Sequence, residues 1–302
     1  MIFQPGSCPT ELDGASEHDE SRIPATSVSL EVLRIQAAGR SQQADDVIEE
    51  VPVALSYNGI SHAVMLATPA DLEDFALGFS VCEGIVAGVN EIHDLDIQPG
   101  CDGIVIDMQI AQPRFIALKE RRRSLAGRTG CGLCGVESLA QLGKPSFPSP
   151  EVSGKILSVL HIDEALRQLA HWQPLREQTG ASHAAAWVDG AGHIQFARED
   201  AGRHNALDKL AGALLRRGDT LSEGFILVSS RASYEMVQKA AAIGSGALVA
   251  VSAPTALAVR TAEAAGMLLV GFARPGQLVA YSHAERLSGE MPPSTTPRRG
   301  LM

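Results

Sequence analysis

Between residues 225 and 272 short apolar runs alternate with helix-patterned segments, and that rhythm leaves few folds open. Phe225–Ser229, Ala247–Ser252 and Leu268–Phe272 are strand-like, while Tyr234–Ile243 and Ala256–Ala265 carry apolar residues at helical spacing. Strands separated by helices imply βαβ crossovers and a sheet with helices packed on it. Ligands of such sheets sit beyond the carboxyl ends of the strands. Upstream, His183–Val188 and His193–Ala197 predict a short hairpin across Asp189-Gly190-Ala191-Gly192. The next helix puts Leu207, Leu210, Leu214 and Leu215 on its apolar side.

A first block has a different rhythm. Val51–Tyr57 and Ile60–Ala67 are β-rich and are separated by Asn58-Gly59, a dipeptide that accepts the positive φ angles of a type I′ hairpin turn. Thr68 reads as a helix N-cap, with Pro69 at the first helical position and Asp71 three residues after the cap. Leu72, Phe75, Ala76, Phe79 and Cys82 then recur at helical spacing, so Cys82 is expected to be a packed core thiol. Ile92–Ile97, Ile104–Ile110 and Phe115–Leu118 predict further strands. The division expected is an α+β N-terminal domain over 28–123 and a larger domain over 124–288. Residues 1–27 and 289–302 are expected to be disordered tails. In the first, Glu11, Asp13, Glu17, Asp19 and Glu20 face only Arg22, too little apolar surface to offset chain entropy.

Composition excludes several classes. A chain of 302 residues, 45% hydrophobic and 20% charged, has enough apolar mass for a real core. Its formal charge of −10 disfavours a general nucleic-acid binder. No apolar run approaches the ~20 residues of a membrane span. Five cysteines with one close pair, and a start without a signal-peptide pattern, predict a cytoplasmic protein with reduced thiols.

Four segments carry chemistry. In Gly130-Cys131-Gly132-Leu133-Cys134-Gly135 two sulfurs lie within mutual reach, and the flanking glycines leave them open to a large partner. Just upstream Arg114, Lys119, Arg121, Arg122, Arg123 and Arg128 stand against the single acid Glu120. That local inversion of charge suits a thiolate or persulfide anion and an acidic partner. The same pair also fits half of a zinc site, with His161, His171, His183 and His204 available for the remainder, or a redox dithiol. The basic run equally fits a solvated strand end. In the second segment, Arg198 to Lys209, His204 and Asp208 share one helix face and Asn205 and Lys209 the next. This suits anion recognition at a helix start, or a capping network of i,i+4 pairs. The third, Ser229-Ser230-Arg231-Ala232-Ser233, leads from a strand into a helix and gathers hydroxyls, N–H groups and a cation. The fourth, Phe272-Ala273-Arg274-Pro275-Gly276-Gln277, is expected as a loop after the last strand, with an aromatic face, a cation and a turn.

GRTGCGLCGVESL (127–139), AREDAGRHNALDKL (197–210), LVSSRASYEMVQKAA (227–241), VSAPTALAV (251–259) and VPVALSYNGISHAVMLATPADLEDFALGFSVCEGI (51–85) together resemble the FdhD/NarQ family, over about residues 28–286. The resemblance implies an α/β protein: a cytidine-deaminase-like α/β/α C-terminal domain behind a smaller α+β N-terminal domain, with a mobile Cys-x-x-Cys loop between them. It implies a cytoplasmic homodimer that takes sulfur from a cysteine desulfurase. The sulfur passes to the bis-molybdopterin guanine dinucleotide molybdenum cofactor that formate dehydrogenase needs. Partners implied are the desulfurase, apo formate dehydrogenase and the molybdenum cofactor; nucleic acid, membrane and a structural metal are not. The persulfide cysteine corresponds to Cys131 and its partner to Cys134. The cofactor loop corresponds to Phe272, Ala273, Arg274, Pro275, Gly276 and Gln277, where Gln277 stands at a position that members fill with a basic residue. Ser229, Ser230, Arg231, Ser233, Arg203 and His204 are expected to complete the cofactor pocket. Cys134 either attacks the Cys131 persulfide and releases sulfide or only tunes it. The alternative function is a non-catalytic chaperone for the molybdenum cofactor, with structural or zinc-binding cysteines.

Overall fold

The computed structural model describes residues 22–37, 39–126, 156–218 and 221–291. Residues 1–21 and 292–302 of the expected tails lie outside them, as does the segment with Cys131 and Cys134; Ser27, expected in the first tail, instead begins a strand. The described chain is mixed α/β. A two-stranded ribbon comes first, β1 (Ser27–Gln36) against β2 (Gly39–Ile48). β3 (Val51–Tyr57) and β4 (Ile60–Ala67) form the expected hairpin, with Asn58 at φ 48° and Gly59 at φ 76°. After helix α1 (Leu72–Cys82), β5 (Ile92–Gly100) and β6 (Gly103–Ile110) complete a four-stranded sheet of order β4-β3-β6-β5. Only β3 and β6 are parallel in it.

Two expectations for this block are corrected. Phe115–Leu118 is not a strand but part of helix α2 (Gln112–Ala126). Phe115 and Leu118, three apart, are both buried, while Ile116 between them is exposed; that is a helical face, not strand alternation. Pro113 stands in the first turn, where its missing N–H costs nothing. Thr68 does not cap α1 either. The cap position is Asp71, in the left-handed region at φ 51° with no side-chain cap bond. Thr68 is fully buried and occupied elsewhere: its N–H donates to Asp200 Oδ2 (3.0 Å), its Oγ1 accepts from Ala201 N (3.1 Å) and its carbonyl accepts from Lys209 Nζ (2.9 Å).

The second block begins with the short β7 (Leu157–Ser158), helix α3 (Val159–Gln168) and helix α4 (Pro174–Thr179). Then come β8 (His183–Asp189), β9 (Ile194–Asp200) and helix α5 (Arg203–Arg217). β10 (Gly224–Val228), α6 (Tyr234–Ala242), β11 (Ala247–Ala250), α7 (Ala256–Ala264) and β12 (Leu268–Arg274) follow the expected alternation. β13 (Gln277–Ser282) pairs back antiparallel on β12, and β14 (Leu287–Ser288) pairs with β7. The six-stranded sheet has the order β13-β12-β11-β10-β8-β9, with β10, β11 and β12 parallel.

Period-2 alternation sends each strand's side chains to two cores. On one face Ile226, Val228, Leu248 and Leu269 meet Leu207, Leu210, Met236, Val237 and Ala258 from α5, α6 and α7. On the other, Leu227, Val249, Leu268 and Val270 meet Ile162, Ala165 and Leu166 of α3. A third core joins α1 (Leu72, Phe75, Ala76, Phe79) to Val53, Leu55, Tyr57, Ile106 and Met108 of the four-stranded sheet.

α1 and α5 cross at two glycines. A Cβ on Gly78 would run into the Asp208 carbonyl, and a Cβ on Gly212 into the Asp74 carbonyl. Backbone therefore meets backbone, which brings the two blocks together without an intervening side chain. Gly212→Val is expected to destabilise the protein by at least ~1–3 kcal/mol, the scale of overpacking in a filled contact. Chemical denaturation measures this; a midpoint unchanged from wild type would mean that the helices part without cost.

Candidate functional site

β10, β11 and β12 all point their carboxyl ends to one edge of the six-stranded sheet. The antiparallel pairing of β8 brings His183 to the same edge, opposite Asp200 at the end of β9. Three helix starts open there: α5 after Gly202, α6 after Ser233 and α7 after Thr255. Their loops are stitched to one another: Ala232 bridges Pro254, Thr255 N donates to Ala232 O (3.0 Å), and Phe272 N donates to Ser252 O (3.1 Å). The edge is thus a continuous backbone rim, the position where open α/β sheets take ligands.

The expected pocket residues divide between those that face outward and those used for structure. Ser229 exchanges bonds with Ala184: its N–H donates to the carbonyl (3.0 Å), and its Oγ accepts from the amide (2.9 Å). Ser230 is buried and donates to Arg231 O (3.1 Å); Ser233 donates to Glu235 Oε2 (3.2 Å). Arg231 is exposed and makes no ion pair with a described residue. The Phe272–Gln277 segment is not a loop after the last strand, as expected, but the end of β12 and a hairpin turn, because Arg274 pairs with Gln277 across Pro275-Gly276. Phe272 holds φ 48°, a rare conformation for a bulky residue, and stays 39% exposed at the rim. Ala273 is fully buried in the α3-side core, so its side chain faces away from the rim. Gly276 N donates to Asp163 Oδ1 of α3 (2.6 Å), which fixes the turn. Arg274 and Gln277 are exposed.

The Arg198–Lys209 segment supplies the capping network, and more. Asp200 and Lys209 are both fully buried, with Nζ 2.7 Å from Oδ2. Asp200 Oδ1 also accepts from Gly202 N (2.7 Å) and Asn205 Nδ2 (3.0 Å). Asn205 and Lys209, expected on one helix face, therefore share one carboxylate. His204 and Asp208, on the next, meet two α6 residues that are also four apart. His204 Nε2 lies 3.1 Å from Glu235 Oε2, and Asp208 Oδ1 lies 2.9 Å from Lys239 Nζ, which also reaches Glu83 of the first block at 2.9 Å. Burial works against the Lys239 ammonium, but Asp208, Cys82 and Glu83 around it raise its pKa. Cys82 is buried beside this pair, and burial pushes its thiol up, so it is a packed core group and not a nucleophile.

The sequence offers His183 only as a possible zinc ligand, and the structure puts it on this rim. Burial lowers its pKa, Arg176 and Arg203 add to that, and Asp200 opposes it. His204 is likewise lowered, by burial and then by Arg203, with Glu235 opposing. The only sequence signal for His183 was its position at the start of a strand whose antiparallel pairing was not predicted. Arg114, Lys119, Arg121, Arg122 and Arg123 of the basic run lie on α2, which ends at Ala126 just before the segment containing the cysteines, and Arg128 lies outside the described residues. Arg121 Nη1 donates to Glu83 O (3.2 Å), and Lys119 sits 4.4 Å above the Phe115 ring.

The FdhD/NarQ family model matches residues 48–288, most of the chain. The chain belongs to the FdhD/NarQ family. One relative, the sulfur carrier protein FdhD of Cupriavidus necator, is 56% identical over 267 residues, 88% of this chain and 92% of that protein. A crystal structure described as a formate dehydrogenase accessory protein, from Desulfotalea psychrophila, superimposes with a TM-score of 0.70 at 24% identity; it covers 87% of this chain and 100% of that one, and it shows the fold. The FdhD/NarQ match takes in both sheets, the rim and the Cys131–Cys134 pair, and starts at the last residue of the β1–β2 ribbon. No described helix is long and apolar enough to cross a membrane.

In this FdhD/NarQ member the Asp200–Lys209 pair is expected to be the costliest polar contact to break. Lys209→Met leaves a buried carboxylate without its counter-charge, which costs about 3–5 kcal/mol. Urea unfolding measures it; a loss below about 1 kcal/mol would show that the remaining N–H donors alone satisfy Asp200.

Proposed function

We propose that this protein is a sulfur carrier for formate dehydrogenase maturation, moving sulfur from a cysteine desulfurase to the bis-molybdopterin guanine dinucleotide molybdenum cofactor. The observation that carries the reading is the 56% identity, along 88% of the chain, to a protein named as a sulfur carrier. Two features of this chain support it: a Cys-x-x-Cys pair that follows a basic helix, and a sheet rim with exposed arginines.

Cys131 is the sulfur-bearing group. Its thiolate attacks the outer sulfur of the desulfurase persulfide; a new S–S bond forms at Cys131, and the desulfurase cysteine leaves as a thiolate. A free thiol near pKa 8.5 is only a few per cent thiolate at neutral pH. The positive field of Arg121, Arg122, Arg123 and Arg128 favours the anion and draws an acidic donor surface. Delivery follows when the Cys134 thiolate attacks Cys131 at its Sγ: hydrosulfide leaves toward the molybdenum, a soft donor for that metal, and a Cys131–Cys134 disulfide remains for an external dithiol to reduce.

The cofactor is the substrate of this step, and the rim is its berth. Arg274 and Arg231 meet phosphate oxygens, with Arg203 and His204 at the opposite side. The exposed Phe272 ring packs on a base or pterin face. Pro275 and Gly276 set the turn that presents Arg274 and Gln277, and Ser229, Ser230 and Ser233 shape the loop before α6. The donor is a desulfurase, the client is apo formate dehydrogenase, and the setting is the cytoplasm, with the carrier as a homodimer. The chaperone reading shares the rim but needs no sulfur on Cys131.

Cys131→Ala is expected to abolish formate dehydrogenase activity in cells that depend on this protein while leaving its unfolding midpoint unchanged. Wild-type activity with Cys131→Ala would leave only the chaperone reading standing. Replacing Arg121, Arg122 and Arg123 together by Glu is expected to weaken sulfur loading. The wild-type rate should fall with added salt, because exposed charges are screened beyond about 8–10 Å at ordinary ionic strength. A loading rate indifferent to both changes would reduce the run to a solvated helix face.

A further inference from the structure

We infer that the β1–β2 ribbon is an exchange arm: in a homodimer, the tip of each copy's arm packs on the outer face of the other copy's four-stranded sheet, and the two arms stack on each other. The inference rests on the homodimer reading above and names the surfaces that make the contact.

The register of the ribbon puts Val28, Leu30, Val32 and Val47 on one face and Leu33, Ile35 and Ala44 on the other. Among the described residues, the side-chain hydrogen bonds that join it to the body come at its base: Gln178 of α4 donates to Ser27 Oγ (3.0 Å) and to Asp46 Oδ2 (3.1 Å). None of its residues enters the three cores. Leu33 and Ile35, toward the tip, are 55% and 64% exposed. A two-stranded ribbon is at best marginally stable alone in water, so ten paired residues with apolar side chains on both faces call for cover.

The same chain carries a matching surface. The four-stranded sheet packs one face on α1. Its other face presents Pro52, Ala54, Val64, Leu66 and Val105 as cross-strand neighbours, and none of these enters a core. Val64 is 63% exposed and Leu66 55%. Seven of the fourteen exposed large apolar side chains among the described residues lie on the ribbon and β4, so the unburied apolar surface is concentrated in these two patches.

Charge completes the fit. Beside its apolar patch the outer sheet face turns acidic, with Asp107 opposite Asp96 across β6 and β5. Asp96 accepts from Gln98, and Asp107 from Gln109 and Gly59 N, none of them a cation. On the arm, Arg40 is the cross-strand neighbour of Ile35 and makes no ion pair with a described residue. A cation beside apolar side chains on the arm thus meets carboxylates beside apolar side chains on the sheet.

A second copy is the occupant that covers both faces of the ribbon. Reciprocal exchange about a two-fold axis puts the sheet of the other copy against Leu33, Ile35 and Arg40, and the twin arm against Val28, Leu30, Val32 and Val47. A different protein docked on one face leaves the other in water. The area is also sufficient. The arm is about 33 Å long and about 10 Å wide, at ~3.3 Å per residue and ~4.8 Å per strand. Two arms stacked along their full faces, and laid on two sheets along their tip halves, remove roughly 1,300 Å² from water, within the ~1,200–2,000 Å² of a specific interface.

The test is sedimentation equilibrium of the full-length protein. The variants are Leu33→Glu with Ile35→Glu on the arm, Val64→Lys with Leu66→Lys on the sheet, Arg40→Glu, Asp96→Arg, and the last two combined, each checked for a native unfolding transition. Wild type should be a dimer. Either apolar pair should weaken it by about tenfold or more. Arg40→Glu and Asp96→Arg should each weaken it less, and their combination should recover most of the loss, which a merely misfolded variant would not do. A benzophenone side chain in place of Ile35, in a mixture of light and heavy-isotope protein with a purified desulfurase added, should crosslink to the β4 peptide of the other isotope. Arm and sheet variants that dimerise as tightly as wild type would overturn the arm and leave the homodimer reading standing. A wild type that is monomeric at every concentration would overturn both. A crosslink to the desulfurase in place of β4 would overturn the second copy as the occupant.

Discussion

A carboxylate with no exposed surface, Asp200, ties the rim to the rest of the molecule. Its two oxygens take the Lys209 ammonium, the Asn205 amide and the backbone N–H groups of Gly202 and Thr68. Lys209 in turn donates to the Thr68 carbonyl. One buried ion pair thus fixes the end of β9, the first turn of α5 and the exit from β4. A buried pair gains little over an apolar one of equal volume, but losing either partner is expensive. Its effect is positional: it sets where α5 begins, and therefore where Arg203 and His204 stand relative to His183.

The glycine crossing of α1 and α5 continues that constraint across the two blocks. With no side chain at Gly78 or Gly212, the helices touch along their backbones, and Asp208, Lys239 and Glu83 close a second ion cluster at the next turn. α1 is also the helix against which the four-stranded sheet packs. The basic helix α2 is tied to the same place through Arg121 and the Glu83 carbonyl. The basic helix and the rim are thereby set on one framework, with Glu83 common to both sides; the proposed sulfur loading and substrate binding would share it.

The parts of this arrangement legible in the sequence were those encoded by local pattern. The β10–β12 alternation, the Asn58-Gly59 hairpin and the apolar side of α5 all follow from spacing within a few residues. The pairing of Asn205 with Lys209, and of His204 with Asp208, on shared helix faces was also readable; that the first pair would be spent on Asp200 was not. Thr68 looked like a cap because its neighbours fit one, yet its partners lie more than 130 residues away. Phe115–Leu118 looked like a strand because four residues are too few to separate a period of 2 from 3.6. The β1–β2 ribbon carries no strand signature in the sequence, because its apolar residues, among them Leu30, Leu33 and Ile35, lie on both faces and remain exposed. His183 became a rim residue only once the antiparallel register of β8 was known.

The account's central claim is that sulfur travels on Cys131. Its most direct test is intact-mass and peptide-mass analysis of the protein after incubation with a cysteine desulfurase and cysteine. One added sulfur atom, located on the peptide with Cys131, lost on treatment with a dithiol and absent from Cys131→Ala, is the result expected. A protein that stays unmodified beside an active desulfurase, or that carries its sulfur only on Cys134, would contradict it.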